Sequence, residues 1–415
     1  MLIGLDVRTS VRALNGLGRT LHRLGWPATR FDDEALLGMA RRQTGLDDFG
    51  PGDFREPLRL LLKSLEHEAS LSWLGRILAR NDIRALLANR LRVVRDRALY
   101  PEIAHGRIVS PLFVAGLPRT GSTLLHHLLA QDPKSRVLRT WEVFSPSPPP
   151  DPASDPADPR VAATQRSLRW FDRLAPEFKT IHPLGAELPL ECIAVLAHSF
   201  LSSRFNTSYR VPSYQAWFEQ QDQRPAYELH RAILQHLQVR YPGSRWVLKA
   251  PTHLWSLEAL FAAYPDAIVV QTHRDPATVL ASVASLTAVL RGVFAEVVDR
   301  LEIGHEVTNQ WSNGLERALQ FRRSGAMPAE RFVDVQYRDL LRDPIGSIRA
   351  IYAKLSWTLD AESERRMQMY LGNHPKDRHG PHRYSLESFG LDPGAIAHRF
   401  KTYREYFDVK EEPGP

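Results

Sequence analysis

Residues 111–123 read Pro-Leu-Phe-Val-Ala-Gly-Leu-Pro-Arg-Thr-Gly-Ser-Thr, and the apolar run Leu-Leu-His-His-Leu-Leu-Ala follows at 124–130. This stretch predicts a short buried strand, Leu112–Ala115, then a tight glycine loop and a helix over Gly121–Gln131. A strand that passes through such a loop into a helix presents backbone N–H groups to an anion. The stretch therefore predicts an anion site at the carboxyl end of a strand.

The loop departs from the pattern of nucleoside triphosphate sites. Gly116 and Gly121 have the spacing G-x-x-x-x-G, but the lysine that follows the second glycine in such sites is replaced by Ser122. The basic residue lies inside the loop, as Arg119, where a transferred group would lie. This displacement favours a nucleotide that carries a phosphosulfate over a nucleoside triphosphate.

Three more apolar runs have the composition of strands, and each precedes a helical pattern: Arg245–Lys249, Ala267–Thr272 and Arg331–Val335. Strands that alternate with helices predict parallel βαβ units, and therefore an α/β fold with a central parallel sheet. Ligands of such sheets bind beyond the carboxyl ends of the strands. Arg119, Lys249 and Arg274 lie at or just past predicted strand ends, so we expect them to face one crevice.

The rest of the chain divides at about residue 106. Leucines at helical spacing over 33–104 predict an N-terminal helical annex, 1–106, which packs on the core or covers the site. A partner-binding helix is the alternative interpretation of this segment. The remaining domain is 107–415, with helical patterns at 160–174, 191–205 and 227–241 and a proline-rich surface excursion at 145–159.

Composition narrows the function. The net charge of +7 is scattered, without the basic stripe and interleaved aromatics of nucleic-acid binding, so no nucleic-acid partner is expected. Cys192 is the only cysteine, which excludes an intrachain disulfide. Neither a signal peptide nor an apolar run near the ~18 residues of a membrane span is evident, so we expect a cytoplasmic protein. No metal is expected, since the histidines lack the spacing of metal ligands. The sequence leaves the oligomeric state open and is compatible with a homodimer.

A second anion signal lies at Thr272–Ser282, Thr-His-Arg-Asp-Pro-Ala-Thr-Val-Leu-Ala-Ser. Asp275 and Pro276 predict a helix start, because Asp caps the free N–H groups and Pro suits the first helical position. Arg274 then lies at the mouth of the helix, with Ser282 two turns further on. The pair could hold a second phosphate, such as a ribose 3′-phosphate. The alternative is a capped helix with a surface arginine.

Together these motifs resemble the sulfotransferases that use 3′-phosphoadenosine 5′-phosphosulfate (PAPS), specifically the bacterial branch called sulfotransferase family 3. Gly-Leu-Pro-Arg-Thr-Gly-Ser-Thr at 116–123 is similar to the family's 5′-phosphosulfate loop, and 272–286 to its 3′-phosphate motif. The similarity extends over about 107–407. It implies a P-loop NTPase-like three-layer fold. It also implies transfer of a sulfuryl group from PAPS to a hydroxyl of a small-molecule acceptor, with 3′-phosphoadenosine 5′-phosphate (PAP) as the other product.

The resemblance also implies donor contacts at particular positions, which are Pro118, Arg119, Thr120, Gly121, Ser122, Thr123, Leu124, Arg274 and Ser282. Arg119 takes the place of a catalytic lysine and would neutralise charge on the bridging oxygen. Lys249 would contact the sulfuryl oxygens. Leu124 replaces a tryptophan that often stacks on adenine, so the stacking must come from elsewhere. Lys376 and Arg378 are the nearest match to a late phosphate motif.

Three residues are candidates for the base that takes the acceptor proton: His253, Glu187 and Glu191. The sequence leaves the choice open. Trp217, Phe218, Trp255 and Phe294 could line an apolar pocket for a lipid or phenolic acceptor, although aromatics at such spacing also form cores. Cys192 lies in an apolar helical stretch and is a poor covalent nucleophile, so a single in-line displacement is expected.

Two other functions remain compatible with the sequence. A non-catalytic PAP- or PAPS-binding module would keep the loop and lose turnover. An ATP-dependent phosphotransferase is disfavoured by the displaced basic residue and by the lack of a suitable acid after the strand at 267–272.

Overall fold

A parallel sheet of five strands organises the part of the chain that the structure describes. The computed structural model describes residues 29–154, 157–176, 184–241, 245–374 and 385–412. The strands are β1 (Leu112–Gly116), β2 (Ser135–Arg136), β3 (Arg245–Lys249), β4 (Ile268–His273) and β5 (Phe332–Gln336). Their order is β2-β3-β1-β4-β5, and every neighbouring pair is parallel. This confirms the predicted α/β fold with a central parallel sheet.

The helices before β3 are α1 (Asp33–Thr44), α2 (Arg55–His67), α3 (Trp73–Leu99), α4 (Glu102–His105), α5 (Ser122–Leu129), α6 (Thr140–Phe144), α7 (Pro159–Leu174), α8 (Cys192–Leu196), α9 (Arg204–Ser208), α10 (Pro212–Phe218) and α11 (Arg224–Gln238). Those after β3 are α12 (Leu257–Ala263), α13 (Pro276–Phe294), α14 (Arg300–Arg323), α15 (Tyr337–Arg342), α16 (Pro344–Lys354), α17 (Ala361–Asn373), α18 (Pro393–Arg399) and α19 (Lys401–Tyr406). Short 3₁₀ helices lie at Ala197–Ser199, Pro251–Ser256, Ala329–Arg331 and Glu387–Phe389.

The alternation of side chains along β1 creates three layers. Leu112 and Val114 pack on one face with α5, α16 and α17, whereas Phe113 and Ala115 pack on the other face in the larger core. Because both faces are covered, all of β1 is buried and reads as a continuous apolar run rather than an alternating one. β1 lies at the centre of the sheet, so the loop that follows it is held by strands on both sides.

The described N-terminal helices share the core of the sheet. Apolar side chains of α1, α2 and α3 belong to the same hydrophobic cluster as Phe113 and Leu248 on the sheet. Residues 1–28 of the predicted annex lie outside the described residues. The division of the chain at residue 106 stays a prediction. The predicted helix over 191–205 is broken, since α8 gives way to a 3₁₀ turn with Phe200 in a left-handed conformation.

The expectation that no apolar run approaches membrane-spanning length was wrong for α13. This helix has 19 residues and is long and apolar enough to cross a membrane by length and composition. More than half of it is buried inside the protein, where it packs against α3, α9 and α14. Its apolar character therefore matches that of a core helix.

Candidate active site

A cavity of about 520 Å³, called here the strand-end cavity, lies beyond the carboxyl ends of β1, β3 and β4. The loop after β1 contributes Arg119 and Ser122, the end of β3 contributes Lys249, and the segment after β4 contributes Arg274. The predicted convergence of three cationic side chains on one crevice is therefore present. A larger groove, about 850 Å³, contains neither the loop nor these cations.

The loop conformation depends on two glycines. Gly116 has φ 144°, and a Cβ there would lie 2.3 Å from Thr272 Oγ1 on β4. Gly121 has φ 80°, and its Cβ would lie 2.8 Å from a methyl carbon of Leu340. Left-handed backbone and close neighbours both require glycine. The G-x-x-x-x-G spacing thus has a steric cause in this chain.

The loop leaves the N-terminus of α5 open to the cavity. Gly121 is the N-cap residue and has no side chain to bond the first N–H groups of the helix. Ser122 and Thr123 line the cavity at this end. A helix N-terminus with free N–H groups attracts an anion.

The side chain of Thr120 contacts the loop and β4 rather than the cavity. It is fully buried, and its hydroxyl donates to the Leu117 carbonyl at 2.6 Å and lies 2.6 Å from Thr272 Oγ1. The side chain therefore fastens the loop to β4 and does not line the cavity.

Arg119 and Lys249 line the cavity from the ends of the neighbouring strands β1 and β3. Arg119 has φ 66°, is exposed and lines the rim. Lys249 is 3% exposed, and its Nζ donates to Thr123 Oγ1 at 3.3 Å and to the carboxylate of Glu191. Arg119 is therefore an exposed cation at the cavity, while Lys249 is a buried cation held by two hydrogen bonds.

The structure separates the three candidate bases. Glu187 is exposed and does not line the cavity. His253 is fully buried on the far side of its 3₁₀ turn, with Nδ1 2.6 Å from the hydroxyl of Tyr227 and its ring edge-on to Phe113. Burial holds the pKa of His253 well below its usual value. Glu191 alone of the three lines the cavity, against Lys249.

Arg274 projects from the start of α13, as the Asp275–Pro276 pair predicts. Asp275 caps the helix by accepting from Ala277 N–H at 3.2 Å. The Arg274 guanidinium donates to the Arg119 carbonyl at 3.0 Å and lies 4.1 Å from the centre of the Tyr337 ring. Both interactions hold the arginine at the edge of the loop.

Ser282 is not brought to this site. It is 1% exposed, its hydroxyl has no hydrogen-bond partner among the described residues, and it does not line the cavity. The next turn of α13 lines the cavity instead, through Val283, Leu286 and Thr287. Lys376 and Arg378 lie outside the described residues.

Only one of the four predicted acceptor aromatics lines the strand-end cavity. Trp255 does so, in edge-to-face contact with Trp311 at 5.1 Å. Gly314 on α14 permits this, since a Cβ there would lie 2.0 Å from the indole nitrogen of Trp255. Phe218 lines the separate larger groove, Phe294 packs on Tyr209, and Trp217 packs on Tyr214.

Several cavity residues have no motif in the sequence. Asn206 donates to Gln310 at 3.0 Å, and Arg291 pairs with Glu306 at 2.6 Å, so α9, α13 and α14 bring polar groups to the cavity. Tyr337 follows directly after β5, and the strand-end rule that selected Lys249 would also have selected it.

Among the residues that the structure describes, no three His, Cys, Asp or Glu side chains gather as metal ligands. Burial raises the pKa of the Cys192 thiol, which keeps it unreactive.

Comparison with known proteins identifies the family. The model of the sulfotransferase family (Sulfotransfer_3) matches residues 111–361, more than half of the chain. The fold is similar to that of sulfotransferase STF1 from Mycobacterium tuberculosis, with TM-score 0.80 and 34% identity over 89% of this chain and 98% of that one. It is also similar to sulfotransferase STF9 from Mycobacterium avium, with TM-score 0.84 and 29% identity over 92% and 98%.

A curated relative is the omega-hydroxy-beta-dihydromenaquinone-9 sulfotransferase Stf3 of Mycobacterium bovis. It is 27% identical over 304 residues, which are 70% of this chain and 75% of the relative. The family match covers the loop after β1, Lys249 and Arg274, the residues that build the strand-end cavity. The chain therefore belongs to the sulfotransferase family.

Proposed function

We propose that this sulfotransferase moves a sulfuryl group from PAPS to a hydroxyl of a small-molecule acceptor. The observation that carries the proposal is the convergence of the open α5 N-terminus, Lys249 and Arg274 on one cavity. PAPS has anionic groups at both ends of its ribose, and these elements offer two separate anion sites. We extend the proposal to a cytoplasmic location, supported by the single, free and buried Cys192.

The donor occupies the loop end of the cavity. The 5′-phosphosulfate lies on the N–H groups of Gly121, Ser122 and Thr123, and the 3′-phosphate accepts from Arg274. Leu124 and Tyr337 line this end and offer apolar and aromatic surface to adenine. Together they would compensate for the missing tryptophan.

The reaction is a single in-line displacement. The acceptor oxygen attacks sulfur, the bond between sulfur and the bridging oxygen breaks, and PAP leaves. Lys249 stabilises the equatorial sulfuryl oxygens, and Arg119 neutralises the charge that develops on the bridging oxygen. Glu191, which lines the cavity beside Lys249, takes the acceptor proton.

The acceptor occupies the end of the cavity formed by α13, α14 and Trp255. Val283, Leu286, Trp255 and Trp311 give this end an apolar wall, beside the polar groups of Arg291, Glu306 and Gln310. Such a lining suits an acceptor with an apolar body, such as a lipid or a phenol. The mycobacterial relative Stf3, an omega-hydroxy-beta-dihydromenaquinone-9 sulfotransferase, supports the same class.

Calorimetric titration with PAP tests the donor site. We expect wild-type protein to bind PAP and to show no heat with ATP–Mg²⁺, because the loop lacks the lysine that grips a β/γ-phosphate. Arg274→Ala is expected to weaken PAP binding about 30-fold, which corresponds to the ~2 kcal/mol of charge-assisted hydrogen bonds. Binding of ATP–Mg²⁺ without PAP would replace this proposal with a phosphotransferase. Tight PAP binding without transfer to lipid or phenolic hydroxyls would favour a non-catalytic module.

Substitution of Glu191 tests the base. Glu191→Gln is expected to lower kcat about 100-fold while leaving PAP affinity within threefold, since the amide cannot accept the proton. Glu187→Gln is the matched control, because Glu187 is exposed and outside the cavity. The measurement is transfer from ³⁵S-labelled PAPS to a phenolic acceptor over a range of pH. A full rate for Glu191→Gln, or an equal loss in Glu187→Gln, would contradict this assignment.

A further inference from the structure

The guanidinium of Arg274 is already engaged by a carboxylate from the end of the described chain. Glu412 Oε2 accepts from Arg274 Nε at 3.0 Å and from Nη2 at 2.9 Å. The backbone N–H of Glu412 donates to Asp275 Oδ2 at 3.1 Å. The Arg274 and Glu412 side chains are only 20% and 14% exposed. The Glu412 carboxylate therefore binds the same arginine that would hold the 3′-phosphate.

The segment that carries Glu412 is anchored close to this arginine. Phe407 stacks on His273 of β4 with ring centres 4.2 Å apart, and Val409 is buried in the core. Arg338 donates to the Glu411 carbonyl. These contacts keep the Glu412 carboxylate at a high effective concentration beside Arg274. The ion pair is therefore persistent despite its partial exposure.

We infer that Glu412 is an intramolecular competitor for the 3′-phosphate, and so sets how tightly the donor nucleotide is held and how fast PAP leaves. The inference rests on the proposed function. A 3′-phosphate and the Glu412 carboxylate both need the Nε and Nη2 donors of Arg274, so binding of one displaces the other. A nucleotide with a free 3′-hydroxyl, such as AMP, does not need that exchange.

The competition would favour turnover. A dianionic phosphate binds the guanidinium more strongly than a single carboxylate does, so PAPS still binds. After transfer, PAP still carries the 3′-phosphate. As PAP dissociates, the Glu412 carboxylate takes the place of that phosphate on Arg274, which lowers the barrier to PAP release. Glu412 thus acts on nucleotide selectivity through Arg274 and need not touch the sulfuryl group.

The experiment titrates PAP and AMP into the full chain as wild type, Glu412→Gln, Glu412→Ala and Glu411→Gln. Glu411→Gln is the matched control, since it changes net charge equally and its side chain is 76% exposed, 3.6 Å from Arg404. We expect PAP to bind about fivefold tighter to both Glu412 variants, the equivalent of a partly exposed ion pair of ~1 kcal/mol. AMP affinity should not change, and stopped-flow dissociation of PAP should slow by a similar factor.

Every other result overturns the inference. Unchanged PAP affinity in the Glu412 variants would show that the pair does not compete, and weaker binding would make Glu412 part of the nucleotide site. Equal tightening in Glu411→Gln would reduce the effect to net charge. Failure of the proposed function is separate: it appears as no PAP binding by wild type, or as binding that Arg274→Ala leaves intact.

Discussion

Lys249→Met is expected to lower the rate of sulfuryl transfer by about 100- to 1,000-fold, the range for losing a preorganised charge at the reacting group. Lys249 is 3% exposed and bonds Thr123 and Glu191, so its ammonium is held in position before substrate arrives. A charge fixed in a water-poor site stabilises the transition state without reorganisation. Single-turnover transfer from ³⁵S-labelled PAPS measures the effect.

The controls for Lys249→Met separate chemistry from folding. PAP affinity should stay within about tenfold, because the 3′-phosphate contact at Arg274 is untouched. Removing the lysine leaves Glu191 without that partner, so the double variant Lys249→Met/Glu191→Gln should recover any loss in thermal stability while remaining inactive. A Lys249→Met protein that transfers sulfuryl at the wild-type rate would remove Lys249 from the mechanism.

Gly116→Ala is expected to destabilise the fold by more than about 3 kcal/mol, or to prevent folding, because strained backbone and a backbone clash combine. Gly116 has φ 144°, and the added Cβ would lie 2.3 Å from Thr272 Oγ1 and 2.5 Å from the Thr272 carbonyl oxygen. The carbonyl oxygen is held because β4 is paired on both sides, and the hydroxyl is held by hydrogen bonds with Thr120 Oγ1 and the Ala115 carbonyl. Urea unfolding followed by circular dichroism measures the change.

Gly292→Ala is the matched control for this substitution. Gly292 lies in α13, and a Cβ there would meet no atom of the described residues within 4 Å. Alanine in a helix interior is favoured over glycine by about 1 kcal/mol, so this variant should be neutral or slightly more stable. Equal destabilisation by both substitutions would show that the loop geometry is not the cause.

Short-range sequence patterns predicted the strands of the sheet and the three cationic side chains of the cavity. The four long strands begin or end within one residue of their predicted bounds, because apolar runs next to glycine and proline are local signals. The two-residue strand β2 was missed, since Ser135 and Arg136 carry no strand pattern. Arg119, Lys249 and Arg274 followed from strand ends, since parallel strands all end at one edge of the sheet.

Side-chain direction and distant partners could not be predicted in this way. His253 and Trp255 lie on one 3₁₀ turn, yet the histidine points into the core and the tryptophan lines the cavity. The direction of the His253 side chain depends on Tyr227 of another helix, α11, whose hydroxyl lies 2.6 Å from the imidazole Nδ1. Glu412 lies 138 residues after Arg274, and no local pattern joins them.

The position of α13 in the chain has a consequence for synthesis. Its packing partner α3 precedes it, but α14, which covers another side, follows it. A ribosome therefore releases this largely apolar segment of 19 residues before α14, which shields one side of it, exists. The nascent chain must keep this segment from aggregating, or from entering a bilayer, until α14 has emerged. A helix that is packed in the finished enzyme is thus exposed to aggregation during translation.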